Sequence, residues 1–243
     1  MKLHLSTVIN NISTFENSRT INGQNFLSRD CTGIYLYWKV CEYFKPKSVL
    51  EIGFLQGLSF GLFFESTDDD TLYVSVEYNY RAKHTFDQLF KNHPKLTNIK
   101  FIEINSMDLD LTEKFDFMHV DGNHTYEYAL NDIQKCLQMA HNNSIICVDD
   151  IGIPDVEKAI QEQLLGQNGF VPFLMGDREI FFHHESHNAE DFLDNWIHND
   201  ESINIITYFN YNYHGITLLR AHTPRFFDNH KDVFLQQLQL YNL

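Results

Sequence analysis

The sequence of 243 residues predicts an α/β protein built on a doubly wound, mostly parallel sheet. Three observations support this class. Short apolar segments alternate with segments of helical periodicity, which is the pattern of successive β-α-β units. One apolar segment, at residues 48–52, leads directly into a glycine-bearing turn and a helix start. Polar residues follow several of the predicted strands, at the edge where sheets of this class bind ligands.

The first predicted strand and its turn form the strongest local pattern. The strand is apolar apart from Glu51, which suits a parallel strand covered on both faces. Gly53 can adopt backbone angles that other residues resist, and it lets a ligand approach the main chain. Gly57 stands where the next helix begins and Ser59 lies in its first turn, where free N–H groups can hold an anionic group. Leu55 occupies the second glycine position of the dinucleotide-binding fingerprint, which is therefore incomplete.

The other elements of the core continue the same alternation. Strands separated by helices predict parallel pairing, because parallel neighbours need a crossover between them. In chain order we predict a helix at 32–44, strands at 48–52, 71–77, 99–104, 115–120 and 144–148, helices at 58–65, 81–91, 126–140 and 154–165, and a strand pair joined by a tight turn at 170–175 and 179–183. The predicted sheet thus has seven strands.

Composition and charge narrow the possible functions. The chain is 43% hydrophobic and carries a formal net charge of −15, which disfavours DNA and RNA as partners. We predict no membrane span, because no apolar run reaches about 18 residues, and no signal peptide, because the first residues lack an apolar core. The four cysteines form no C-x-x-C pair, which indicates free thiols in a reducing compartment. A cytoplasmic location is therefore predicted.

An acidic residue, Glu77, ends the second predicted strand. In nucleotide-binding α/β folds, an acid at this place accepts hydrogen bonds from the ribose hydroxyls. The alternative is an exposed carboxylate at a strand end without a ligand.

A second polar group follows the fourth and fifth predicted strands. Asp121, Asp149 and Asp150 come from the tips of two neighbouring strands, and carboxylates so placed repel each other unless a cation lies among them. Their hard oxygen atoms suit Mg²⁺, Ca²⁺ or Mn²⁺. His124 follows Asp121 by three positions and could act as a general base near neutral pH. The alternatives are a solvated turn for the aspartates and a helix N-terminal residue for His124.

Taken together, these motifs resemble the class I S-adenosylmethionine-dependent methyltransferases. Within that class they are most similar to metal-dependent O-methyltransferases of the catechol and macrolide-sugar types. The resemblance covers about residues 30–185, and it is carried by Glu51-Ile52-Gly53, Gly57, Ser59, Glu77, Val120-Asp121-Gly122-Asn123-His124 and Val148-Asp149-Asp150.

The resemblance implies a role for each of these residues. It implies Asp121, Asp149 and Asp150 as ligands of a divalent metal, with Mg²⁺ as the expected ion, and His124 as the catalytic base. The chain departs from the catechol type in carrying Asp150 in place of asparagine and His124 in place of lysine, which favours a sugar-like or other aliphatic hydroxyl. Residues implied to bind S-adenosylmethionine are Glu51, Gly53, Gly57, Ser59, Glu77, Ser106 and Asp121.

The domain organisation follows from the same comparison. Residues 1–30 form an N-terminal lead-in, and residues 31–185 form the cofactor-binding, Rossmann-like methyltransferase core. Residues 186–243 form a C-terminal extension that either completes the sheet or acts as a lid. Within the extension we predict helices at 188–198 and 231–240 and strands at 203–208 and 215–219.

The function predicted from the sequence is a metal-assisted O-methyltransferase that uses S-adenosylmethionine and acts on a hydroxyl of a small molecule or sugar. Three alternatives stay open: a class I methyltransferase that needs no metal, a nicotinamide-dependent oxidoreductase, and a non-catalytic binding protein that keeps the fold. Leu55 in the glycine motif disfavours the oxidoreductase. The oligomeric state is open, with a homo-oligomer as one alternative.

Overall fold

The computed structural model describes residues 31–55, 57–90, 95–186 and 206–222. Nine strands lie in this part of the chain and form one sheet. They are β1 (Ser48–Ile52), β2 (Leu72–Glu77), β3 (Ile99–Glu103), β4 (Phe117–Val120), β5 (Ile145–Val148), β6 (Phe170–Met175), β7 (Ile180–His184), β8 (Thr207–Tyr213) and β9 (Ile216–His222).

Five α-helices accompany the strands within the same described ranges; the first precedes β1 and the other four lie between later strands. They are α1 (Cys31–Phe44), α2 (Leu58–Ser66), α3 (Tyr80–Phe90), α4 (Tyr126–Met139) and α5 (Pro154–Gln163). Short 3₁₀ turns at Leu96–Asn98 and Ser106–Asp108 flank β3. No helix in the described part of the chain combines the length and the apolar character that a membrane span requires.

The strand order is β3-β2-β1-β4-β5-β7-β6-β9-β8. Strands β1 to β5 pair in parallel, and β7 runs antiparallel between β5 and β6. The chain moves outward from β1 to β3 in one direction and then returns to place β4 on the other side of β1. The topological switch point, where open α/β sheets bind ligands, therefore lies between β1 and β4. The predicted doubly wound, mostly parallel sheet is confirmed.

Alternation along the strands creates two apolar layers. Val49 and Phe117 pack on the face covered by α1, α2 and α3, whereas Leu50 and Met118 pack on the face covered by α4 and α5. Helices on both faces explain why the parallel strands are apolar on both sides.

The sheet has more strands than the seven predicted, because β8 and β9 add to it beyond β6. Strand β9 pairs in parallel with β6, and β8 forms an antiparallel hairpin with β9. Asp177 in the turn between β6 and β7 fixes this hairpin: its Oδ1 lies 3.0 Å from His222 Nδ1 and 3.6 Å from Arg220 Nη2.

This part of the predicted C-terminal extension thus adds to the sheet. The division of the chain at residues 30 and 185 stays a prediction. The predicted lead-in at 1–30, the helices at 188–198 and 231–240, and the start of the strand at 203–208 lie outside the described residues.

Candidate active site

The site begins at the turn after β1. Gly53 has a φ of 99°, and a Cβ atom at this position would lie 2.0 Å from the backbone oxygen of Asp121. Gly53 N donates to Val76 O at 2.9 Å and Asp121 N donates to Ile52 O at 2.9 Å, so both sides of this close approach are anchored. Only glycine fits such a position. The turn after β1 and the loop after β4 therefore meet directly at the switch point.

The turn then leads into α2. Gly57 precedes the helix with a φ of 77°, and a Cβ there would lie 2.5 Å from the ring of Phe54. Ser59 lies in the first helical turn and is buried. The local geometry is thus the predicted strand, glycine turn and helix start.

Glu77 occupies the tip of β2 beside this turn. Its Oε2 accepts a hydrogen bond from Leu55 N at 3.1 Å, and its Oε1 accepts one from Asn79 N at 2.9 Å. The carboxylate is therefore fixed between the turn after β1 and the loop after β2. Each carboxylate oxygen can accept more than one hydrogen bond, so both remain able to receive a ligand hydroxyl.

Two other predicted cofactor residues, Glu51 and Ser106, contact protein groups. Glu51 is 1% exposed on β1, and its Oε1 is 3.4 Å from Nδ1 of His119 on β4. Ser106 begins the 3₁₀ turn after β3, where its carbonyl oxygen accepts a hydrogen bond from Asn131 Nδ2 at 3.1 Å. The roles of Glu51 and Ser106 in cofactor binding stay predictions.

The acidic group lies at the tips of β4 and β5. His124 Nε2 is 3.0 Å from Asp150 Oδ2 and 3.7 Å from Asp121 Oδ1. Asp149 is 2% exposed, and its Oδ1 accepts a hydrogen bond from Asp150 N at 2.8 Å. Asp150 has a φ of 55°, a left-handed conformation that aspartate tolerates better than most residues. The structure brings the four predicted residues to one place.

The carboxylates change the titration of His124. The contact with Asp121 raises the pKa of His124 above its usual value, burial opposes this shift, and the charges of Asp150, Asp121 and Asp149 add to it. In the protein without a cation, the carboxylates therefore stabilise the imidazolium form relative to a histidine in water. A bound cation among the carboxylates would reverse this preference and keep the ring neutral.

Two sets of possible metal ligands occur in the described part of the chain, and they share Asp121. One set is Asp121, His124 and Asp150, and the other is His119, Asp121 and Asp149; within each set the ligand atoms lie within 4.8 Å of one another. Carboxylate oxygens with one imidazole nitrogen suit a divalent cation. The predicted ligands Asp149 and Asp150 fall in different sets, so they flank Asp121 instead of facing a single point together.

Sequence reasoning missed two residues of this site. Arg178, in the turn between β6 and β7, donates from Nε to Asp150 Oδ1 at 3.0 Å and makes a second contact through Nη2. His119 lies in the buried interior of β4. The only sequence signal for His119 was that a basic residue stands within an otherwise apolar four-residue strand. For Arg178 the only signal was its position in a turn.

Comparisons with known proteins agree with this architecture. Residues 50–151 match the model of a family described as a methyltransferase domain. The structure is similar to the methyltransferase PaMTH1 of Podospora anserina bound to SAH, with 19% identity, a TM-score of 0.58, and coverage of 73% of this chain and 87% of that one.

Two further solved structures are similar at lower identity. The O-methyltransferase TomG from Streptomyces achromogenes, involved in tomaymycin synthesis and bound to SAM, has 14% identity, a TM-score of 0.57, and coverage of 72% of this chain and 89% of that one. An O-methyltransferase from Bacillus cereus in complex with SAH has 12% identity, a TM-score of 0.57, and coverage of 71% and 89%. No curated protein matches the chain.

Proposed function

We propose that this chain, which carries a methyltransferase domain on the class I methyltransferase fold, transfers a methyl group from S-adenosylmethionine to a hydroxyl group of a small molecule. One observation carries the proposal. Asp121 joins two half-sites, because its backbone packs against the Gly53 turn while its carboxylate faces His124. The turn that we propose to hold the cofactor therefore adjoins the histidine that we propose as the proton acceptor.

The first half-site suits the cofactor. S-adenosylmethionine supplies a methyl group on a positively charged sulfur atom. The Gly53 turn lets the main chain approach the ligand, and the acidic residue Glu77 offers two oriented oxygens to a vicinal diol. The predicted contacts of Glu51, Gly57, Ser59, Ser106 and Asp121 belong to this half-site and are part of the proposal.

The second half-site suits the acceptor. We place a divalent cation, Mg²⁺ in the first instance, beside Asp121, the residue that the two candidate ligand sets share, with Asp149 and Asp150 as the further proposed ligands on either side of it. Carboxylate oxygens suit such an ion. When bound, the ion would lower the pKa of an acceptor hydroxyl and orient it toward the methyl group. His124 then receives the proton of that hydroxyl. Arg178 offsets part of the negative charge on Asp150.

A hydroxylated sugar or natural product is the acceptor that we propose. Two of the similar structures are described as O-methyltransferases, and one of these is involved in tomaymycin synthesis. The acidic net charge of the chain supports a small acceptor over a nucleic acid.

One observation favours a second candidate, a class I methyltransferase that works without a metal. The guanidinium group of Arg178 already lies against Asp150 and supplies a fixed positive charge at the site. In that case His124 and Arg178 alone would orient the acceptor.

Two measurements test the proposal. Candidate hydroxylated sugars are incubated with S-adenosylmethionine and the purified protein, and methylated product is detected by mass spectrometry. The active acceptor is then assayed in excess chelator and again after addition of Mg²⁺ or Mn²⁺. Loss and recovery of turnover support the metal-assisted reaction, whereas full turnover in chelator supports the second candidate.

A further inference from the structure

On one face of the sheet, the side chains of the central strands change from apolar to polar from one layer to the next toward the site. On β1, β4 and β5, Val49, Phe117 and Ile145 stand in register and are buried and apolar. Two residues further along each strand, on the same face, stand Glu51, His119 and Cys147.

The next layer is the site itself. Backbone hydrogen bonds from Asp121 N to Ile52 O and from Asp149 N to Val120 O continue the parallel ladder past the strand ends. The alternation therefore places Gly53, Asp121 and Asp149 directly above the layer that contains His119.

The middle layer is a connected polar unit. Nδ1 of His119 lies 3.4 Å from Glu51 Oε1, and its Nε2 lies 3.1 Å from the hydroxyl of Tyr37 on α1. The ring of Phe63 packs on His119 with centroids 5.2 Å apart. The hydroxyl of Tyr37 is thus hydrogen-bonded to Nε2, the carboxylate of Glu51 lies close to Nδ1, and Phe63 packs against the ring.

Burial of such a polar unit in the protein interior has a cost in folding stability. Glu51 and His119 are 1% and 0% exposed, and buried polar groups lower stability unless they are paired. An apolar layer like the one below it would pack the same strands. A nitrogen of His119 lies within 4.8 Å of carboxylate oxygens of both Asp121 and Asp149.

We propose that Glu51, His119 and Tyr37 form a positioning unit that holds the carboxylates of Asp121 and Asp149 in the orientation that binds the cation. The proposal rests on the metal site of the proposed function. Groups behind metal ligands fix ligand orientation, and their loss weakens metal affinity about 10–100-fold in known sites. Within this unit, His119 and Tyr37 have no part in contacting the acceptor or the cofactor.

The test uses three variants and Mn²⁺ as the probe. In His119→Phe the ring packing is kept and both polar contacts are lost, whereas His119→Gln keeps a donor and an acceptor. Tyr37→Phe removes only the hydroxyl group. The matched control is Phe117→Leu, which alters the same face one layer further from the site. Mn²⁺ affinity is measured from the EPR signal of free Mn²⁺, SAH affinity by calorimetry, and stability by chemical unfolding.

The expected result is a specific order of Mn²⁺ affinities. His119→Phe should bind Mn²⁺ about 10–100-fold more weakly than the wild type, with His119→Gln between them. Tyr37→Phe should show a smaller loss, and SAH affinity should stay within about twofold in all variants. A packing role would instead rank phenylalanine above glutamine, and Phe117→Leu would then lose Mn²⁺ affinity as well.

The possible failures are distinguishable. If the wild type binds Mn²⁺ and His119→Phe and Tyr37→Phe bind it equally well, the positioning role is wrong and the metal site stands. If the folded wild type binds no Mn²⁺, the metal site and the positioning role are both overturned, while SAH binding still reports on the methyltransferase assignment.

Discussion

Replacement of Gly53 by alanine is the sharpest test of the close approach between β1 and β4. The new Cβ would meet Asp121 O at 2.0 Å, Asp121 C at 2.5 Å and Gly122 N at 2.9 Å, all of them backbone atoms. The two segments must move apart by about 1.4 Å, because ordinary contact begins at 3.4 Å and the Cβ would lie at 2.0 Å. Ladder hydrogen bonds nevertheless anchor both segments. A left-handed φ costs a non-glycine residue about 1–2 kcal/mol, and overpacking adds about 1–3 kcal/mol. We expect Gly53→Ala to lower the free energy of unfolding by about 2–5 kcal/mol.

Gly166 provides a matched control for this substitution. It has a φ of 68°, and a Cβ there would meet nothing within 4 Å. Gly166→Ala should therefore cost only the conformational part, about 1–2 kcal/mol, and leave SAH affinity unchanged. Chemical unfolding and calorimetry with SAH measure both effects. Equal stability losses in the two variants, or wild-type SAH affinity in a folded Gly53→Ala protein, would refute the steric reasoning.

Four other predictions concern the two half-sites and the buried carboxylate beneath them. Glu77→Ala should weaken SAH binding by about 1–3 kcal/mol, and Glu77→Gln should weaken it less because an acceptor oxygen remains; calorimetry of both variants checks this order. His124→Ala should lower the rate of methyl transfer by roughly 10²–10⁴-fold with nearly unchanged cofactor affinity, whereas normal turnover with weakened cofactor binding would make His124 a cofactor residue. The carboxylates raise the pKa of His124 above its ordinary value of 6.5. Imidazolium formation should therefore stabilise the metal-free fold fully below pH 6.5. This contribution should be lost as the pH rises through the folded-state pKa of His124. Unfolding at several pH values should show that His124→Gln loses this dependence. Burial raises the pKa of Asp132, so Asp132→Asn should raise the free energy of unfolding at pH 7 by about 1 kcal/mol, and a loss of stability would indicate that the carboxylate is needed in its charged form.

The core elements could be predicted because apolar runs end at clear turn residues. Strand β1 has the predicted bounds, since Lys45-Pro46 precedes it and Gly53 follows it. Strand β4 was predicted to start at residue 115 but starts at Phe117, because Phe115 N donates to Met139 O at the end of α4. Apolar character alone does not distinguish these two environments.

The sequence also indicated that the polar strand ends would lie at one edge, because parallel strands joined by helices all end on the same side of the sheet. It could not indicate how the individual carboxylates are directed. Asp149 and Asp150 are adjacent in sequence, but the left-handed conformation of Asp150 turns its side chain toward His124 and Arg178. Such a φ value leaves little trace in composition.

Long-range polar contacts were the main omission. Arg178 reaches Asp150 from a different hairpin, and His119 reaches Tyr37 from a strand that reads as apolar. Pairings of this kind depend on register and on the packing of α1 over the sheet, neither of which is encoded in a local pattern. The strands β8 and β9 were predicted as elements, but not their place beyond β6.

We expect the crevice beyond Gly53 and Glu77 to bind S-adenosylmethionine. Calorimetric titration of the full chain with SAH, and separately with NAD, tests it most directly. The expected result is one SAH site per chain, with SAH binding weakened by Glu77→Ala, and no measurable heat with NAD. Binding of NAD with no response to SAH would contradict the assignment.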